Sequence, residues 1–121
     1  MLDIRIIREQ TDMVREAMRK LGAEDAPIDR VLELDAERRS LLAEVEELRA
    51  RRNAGSKRIG QLMREGKREE AEAIKAEMSE IGQRIDELDQ RLRQVEAELH
   101  DAMLQIPNLP HPKVPVGRDE S

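Results

Sequence analysis

Between Arg49 and Arg68 the chain carries eight cations, Arg49, Arg51, Arg52, Lys57, Arg58, Arg64, Lys67 and Arg68, against a single acid, Glu65. The band has a net charge of +7 within a chain whose total is −5, so the residues outside it sum to −12. Lys75 and Arg84 follow downstream. Guanidinium and ammonium groups gathered in this way neutralise phosphates and release their counterions. The competing use is pairing with acids along a coiled coil. Arg58 has Glu77 as a possible partner across a helical hairpin, but the same numbering sets Arg51 against Arg84, a like-charge contact that costs stability. The band therefore reads as a polyanion contact. With no Phe, Tyr or Trp in the chain, single-stranded bases have nothing to stack on. What remains is a double-helical backbone, recognised by shape through Arg and Lys, with 2′-hydroxyls as secondary partners.

Catalytic chemistry finds no support. The chain has no glycine-rich phosphate loop, no HExxH, no serine elbow and no cysteine. His100 and His111 are too few for a histidine-based metal site. Acid pairs such as Glu46 with Glu47, or Glu69 with Glu70, are helix neighbours pointing about 100° apart, so they cannot converge on one atom.

Two helices must present the band. From Ile74 to Ile106 the apolar residues Ile74, Met78, Ile81, Ile85, Leu88, Leu92, Val95, Leu99, Ala102 and Ile106 alternate at spacings of four and three. Such a 3.5-residue repeat makes one narrow seam, which a second helix buries. Val31, Leu34, Leu41, Val45, Leu48, Ile59 and Leu62 keep the same spacing upstream, with Arg38, Arg52 and Gly55 at the exceptional positions. The pattern breaks at Gly66, a residue able to take the left-handed conformation that ends helices. The expectation is an all-α fold: a long antiparallel two-helix coiled-coil hairpin with its tip near 65–68. If Gly66 is the tip, seam residues whose numbers sum to about 133 face each other. This sets Val45 against Leu88, Leu48 against Ile85, Gly55 against Met78 and Arg52 against Ile81. The first helix is expected from about Pro27 to Glu65, roughly 55 Å at 1.5 Å per residue.

Composition agrees. The chain is 38% hydrophobic and 40% charged, too polar for a thick core, while the sustained heptad register argues against disorder. The absence of cysteine excludes disulfides and fits a reducing cytosol. No apolar run approaches a membrane span, and the start Met1-Leu2-Asp3-Ile4-Arg5 lacks the apolar core of a signal peptide.

Residues 1–26 read as two short helices and a connector, divided near Gln10-Thr11-Asp12, with Thr11 as the second N-cap and Gly22 as its stop. They are expected to dock at the base of the hairpin through Leu2, Ile4, Ile6 or Ile7, leaving 27–106 as the coiled-coil arm. Residues 107–121 are rich in Pro and Gly and read as a linker towards a further domain.

Four features together resemble the N-terminal arm of seryl-tRNA synthetase. They are Met1-Leu2-Asp3 with Arg8-Glu9 and a second helix ending Leu21-Gly22; Arg51-Arg52-Asn53 followed by Ser56-Lys57-Arg58-Ile59-Gly60; the glycine-tipped hairpin; and Ile106-Pro107-Asn108-Leu109-Pro110-His111 leading to Val114-Pro115-Val116-Gly117 and Asp119-Glu120. The resemblance implies an arm that cradles the long variable arm and elbow of serine tRNA. It also implies a homodimeric cytoplasmic parent, a class II ligase that uses ATP and Mg²⁺ to attach serine. The arm itself would hold no cofactor and perform no catalysis, and in isolation would be monomeric or weakly associating. Arg52, Asn53, Ser56 and Lys57 match the family motif directly. Arg49, Arg51, Arg58, Arg64, Lys67, Arg68, Lys75 and Arg84 come from charge alone. The rival reading is a scaffolding coiled coil that binds other proteins through its flanks.

Overall fold

A computed structural model describes residues 2–108 and contains four helices: α1 (Ile4–Glu9), α2 (Thr11–Lys20), α3 (Ile28–Arg64) and α4 (Arg68–Leu104). The expected Leu109–Ser121 portion of the linker, His111 included, lies outside the described residues. Contacts divide the chain into two units. One draws on Met1–Ala36 and Glu96–Ser121, the other is Glu37–Val95, and the two long helices contribute to both.

The four-helix unit begins with a cap. Asp3 Oδ1 accepts from the Arg5 backbone N–H at 2.8 Å, satisfying a donor that the first turn of α1 would leave free. Only Gln10 separates α1 from α2. Thr11, the N-cap that the sequence suggests for α2, does not cap it. Gln10 holds the N-cap position without a side-chain bond, while the Thr11 hydroxyl donates back to the Ile7 carbonyl at 2.6 Å. With the two helices abutting, the free carbonyls ending α1 lie within reach of that hydroxyl. Helix α2 ends at Gly22, whose φ of 73° suits a residue without Cβ. Gly22 N–H donates to the Arg19 carbonyl at 3.1 Å and Ala23 N–H to that of Met18 at 2.8 Å, the paired bonds of a Schellman stop.

Ile7, Val14 and Met18 from the short helices, Ile28, Val31 and Leu34 from α3, and Leu99, Ala102, Met103 and Ile106 from the C-terminal segment are all buried. Of the four N-terminal anchor candidates Leu2 and Ile7 are buried, while Ile4 and Ile6 are half-buried. Asp35 is fully buried and accepts from Arg8 Nη1 at 3.0 Å, tying α1 to α3. Arg15 pairs with Asp29 and Arg30 with Glu98, tying α2 to α3 and α3 to α4.

The paired-helix unit follows the seam. Val45, Ile85 and Leu88 form a buried cluster, with Leu41, Leu48 and Ile81 packed around it. Beyond, Gly55 receives Met78: a Cβ placed on Gly55 would sit 2.7 Å from Met78 Cε and 3.0 Å from Cγ. The flexible thioether fills the notch that the glycine leaves. Leu62 and Ala71 are fully buried next to the turn. There Gly66, at φ 75°, donates to the Met63 carbonyl at 3.1 Å, and Lys67 N–H to that of Leu62 at 2.9 Å. This second Schellman stop reverses the chain within three residues and makes α3 and α4 antiparallel. Glu69 and Glu70 then sit in the first turn of α4, where the helix dipole favours negative charge.

Candidate nucleic-acid interface

All twelve residues proposed from the sequence, Arg49, Arg51, Arg52, Asn53, Ser56, Lys57, Arg58, Arg64, Lys67, Arg68, Lys75 and Arg84, belong to the paired-helix unit and are exposed. Apart from Lys67 in the turn, they project from α3 or α4, whose backbones fix the spacing of their Cα atoms.

Their electrostatic situations divide them. Arg49 reaches across to Asp89 at 3.1 Å, and Arg84 reaches across to Glu44 at 3.4 Å and along its own helix to Glu87 at 3.3 Å. Arg51 turns to Glu47 at 3.3 Å, Lys75 to Glu72 at 3.0 Å and Lys67 to Glu65 at 3.5 Å. The expected like-charge contact of Arg51 with Arg84 is not made, and Arg58 does not pair with Glu77. Each flanking guanidinium has enough length to choose between residues a heptad apart, and it takes the acid where one is in reach. Arg49, Arg51, Lys67, Lys75 and Arg84 are therefore not unpaired, contrary to expectation.

The other five cations, Arg52, Lys57, Arg58, Arg64 and Arg68, make no ion pair among the described residues. Arg58 Nη1 donates only to the neutral Gln61 side chain, at 3.2 Å. Arg52 occupies a seam position, where the register predicts that its stem lies against Ile81. The residue as a whole is exposed, as a stem on the seam with its guanidinium in water allows, so its charge is presented to solvent.

The seam has two edges, and the ion pairs that cross it identify them. Arg49 and Asp89, each one residue after a seam leucine, meet on the first edge. Glu37 with Arg91, at 2.7 and 2.9 Å, and Glu44 with Arg84 meet on the second, each one residue before a seam position. Pairing across the helices stops at Arg49: among the described residues no side chain of α3 beyond it forms an ion pair with α4.

No group of three His, Cys, Asp or Glu side chains among the described residues could hold a metal, and no described helix is long and apolar enough to cross a membrane. His100 is exposed. The most consequential feature that the sequence left unmarked is the buried Asp35 and its pairing with Arg8. A charged residue one position after a seam leucine normally faces water, and only the docking of α1 turns Asp35 into a buried acceptor.

Comparison with known proteins places these features. The family described as the Seryl-tRNA synthetase N-terminal domain matches residues 1–110. A serine–tRNA ligase of Thermomicrobium roseum is 56% identical across all of this chain, which covers 26% of that protein. Those of Symbiobacterium thermophilum and Roseiflexus sp. strain RS-1 are 53% and 48% identical across all of it, with 28% of each protein covered. The chain thus spans about a quarter of the length of the curated relatives it matches.

Proposed function

This chain belongs to the seryl-tRNA synthetase N-terminal domain family, and we propose that its paired helices grip the long variable arm and elbow of serine tRNA through backbone and shape. The observation that carries this is the release of five cations from internal pairing on a stretch that also holds the family-like Arg52-Asn53 and Ser56-Lys57 steps. Arg52, Lys57, Arg58, Arg64 and Arg68 would meet phosphates. Asn53 and Ser56 would supply hydrogen bonds, and Arg49, Arg51, Lys67, Lys75 and Arg84 would exchange exposed acids for phosphate oxygens. Such exchange is cheap, because exposed ion pairs are worth at most about 1 kcal/mol. With no aromatic residue in the chain, a duplex arm is favoured over unpaired bases.

In this reading residues 27–106 are the tRNA-binding arm, 1–26 its supporting helices and 107–121 a linker to the rest of a cytoplasmic, homodimeric serine–tRNA ligase. ATP and Mg²⁺ would serve that longer protein's reaction, the activation of serine and its transfer to the tRNA 3′ end, and would bind outside these residues. Specificity follows from shape: a tRNA with a short variable loop has too little duplex to span the cations.

Filter binding tests this. Serine tRNA with its variable stem deleted should lose most of its affinity for the chain, and the intact tRNA should show log K falling with log salt by roughly 0.9 per neutralised phosphate. Equal binding of intact and deleted tRNA removes the proposal.

A further inference from the structure

We infer that only one of the two edges of the paired helices lies against the RNA backbone, the edge that carries Asn53, Ser56, Gly60, Lys75, Ser79 and Gly82. This rests on the proposed tRNA contact and narrows it: of the cations given phosphates there, Arg51, Arg58 and Arg84 lie on the other edge and drop out of the contact.

Charge is the first argument. Between Arg49 and Gly82, the positions that follow seam residues and make up the first edge hold two cations, Arg49 and Lys75, and one acid, Glu72. The corresponding positions of the second edge hold Arg51 and Arg58 against Glu70, Glu77 and Glu80. A polyanion is drawn to the first and repelled from the second. The side chains keep to these edges: Arg49 bonds Asp89 and Lys75 bonds Glu72 on the first, while Arg51 bonds Glu47 and Arg58 bonds Gln61 on the second.

The second argument is that two glycines have no explanation inside the chain. Gly82 lies well inside α4 and Gly60 one turn before the end of α3, and glycine weakens a helix. Gly55 is accounted for by Met78, but a Cβ on Gly82 would meet nothing within 4 Å, and one on Gly60 would meet only the Arg64 guanidinium at 3.9 Å. Both fall on the first edge, beside the short polar side chains of Asn53, Ser56 and Ser79. Bare backbone flanked by hydroxyls and an amide lets a sugar–phosphate strand approach the helix closely. It also offers partners to phosphate oxygens and 2′-hydroxyls. On the second edge Arg51 and Arg58 stand among acids, so they contribute least to RNA affinity although their sequence positions are as basic as any.

Binding of the chain to serine tRNA decides it. Gly60→Gln with Gly82→Gln should weaken Kd by about tenfold or more by blocking close approach, while the circular dichroism melt stays level or rises, since Gln favours helix over Gly. Ala54→Gln with Ala73→Gln, the matching change on the second edge, should alter Kd by less than about twofold. Lys75→Glu should weaken binding more than Arg51→Glu with Arg58→Glu, and this charge comparison decides the matter if the glycine variant melts early. Wild-type affinity in the glycine and Lys75 variants overturns the edge assignment while leaving the tRNA reading intact. Equal losses on both edges overturn it too, and a wild-type chain that does not bind serine tRNA sinks both.

Discussion

Arginine serves opposite ends in the two units. In the four-helix unit every described arginine, Arg5, Arg8, Arg15, Arg19 and Arg30, reaches a carboxylate. Three of these pairs join different helices. In the paired-helix unit the pairs that cross between helices end at Arg49, and from there to Arg68 four arginines and a lysine have no acid partner among the described residues. The residue type is the same, and what differs is whether the fold supplies an anion. Where it does, arginine holds elements together. Where it withholds one, the charge is left facing water.

The sharpest way to break this contrast is to remove one anion from the four-helix unit. Asp35→Ala leaves Arg8 partly buried without its carboxylate, and should cost about 3 kcal/mol in urea or guanidinium unfolding. Arg58→Ala should change stability by no more than about 0.5 kcal/mol. If the two variants unfold alike, the division of labour is wrong.

A smaller effect tests whether the paired-helix unit is held by its seam and not by its charges. Gly55→Leu forces Met78 out of its notch and should cost about 2 kcal/mol, with partial recovery when Met78→Ala is added. Gly82→Leu, at an open position, should cost nothing.

The smallest effect concerns pH. The Arg5 side chain, and then its backbone N–H, hold the Asp3 carboxyl below its ordinary 3.8, and Arg19 lowers Glu16 in the same way. A depressed carboxylate contributes in full above its unfolded value, and the contribution disappears as pH falls through the folded one. The four-helix unit should therefore lose a little stability below about pH 4. Asp3→Asn, which keeps a capping oxygen but cannot ionise, should flatten part of that decline in thermal melts, by less than about 1 kcal/mol. An unchanged acid decline would mean that Asp3 is not among its causes.

Much of this architecture is legible in the residues alone. The alternation of threes and fours marks the seam, Gly66 marks the turn, and the gap at Gly55 matches the long side chain of Met78, because all three follow from counting along a helix. Counting cannot place Thr11, whose hydroxyl is captured by the end of the preceding helix, nor Asp35, whose burial depends on where α1 docks. It also mispairs Arg51 and Arg84. The seam register is set by short apolar contacts and is stiff, whereas a guanidinium on a long stem reaches a heptad either way. The candidate site is legible as a stretch of sequence. Which of its residues share an edge of the paired helices becomes plain only from the ion pairs that cross the seam.

The three-residue reversal at Gly66 has a consequence for how such arms can lengthen or shorten over evolution. Because the turn has no slack, adding or losing one residue in either helix between Glu37 and Val95 would swing every side chain beyond it by about 100°. Apolar groups would meet water and acids would enter the zipper. Only matched insertions or deletions of seven, one in each helix, preserve the register, so variation in length should come in paired heptads.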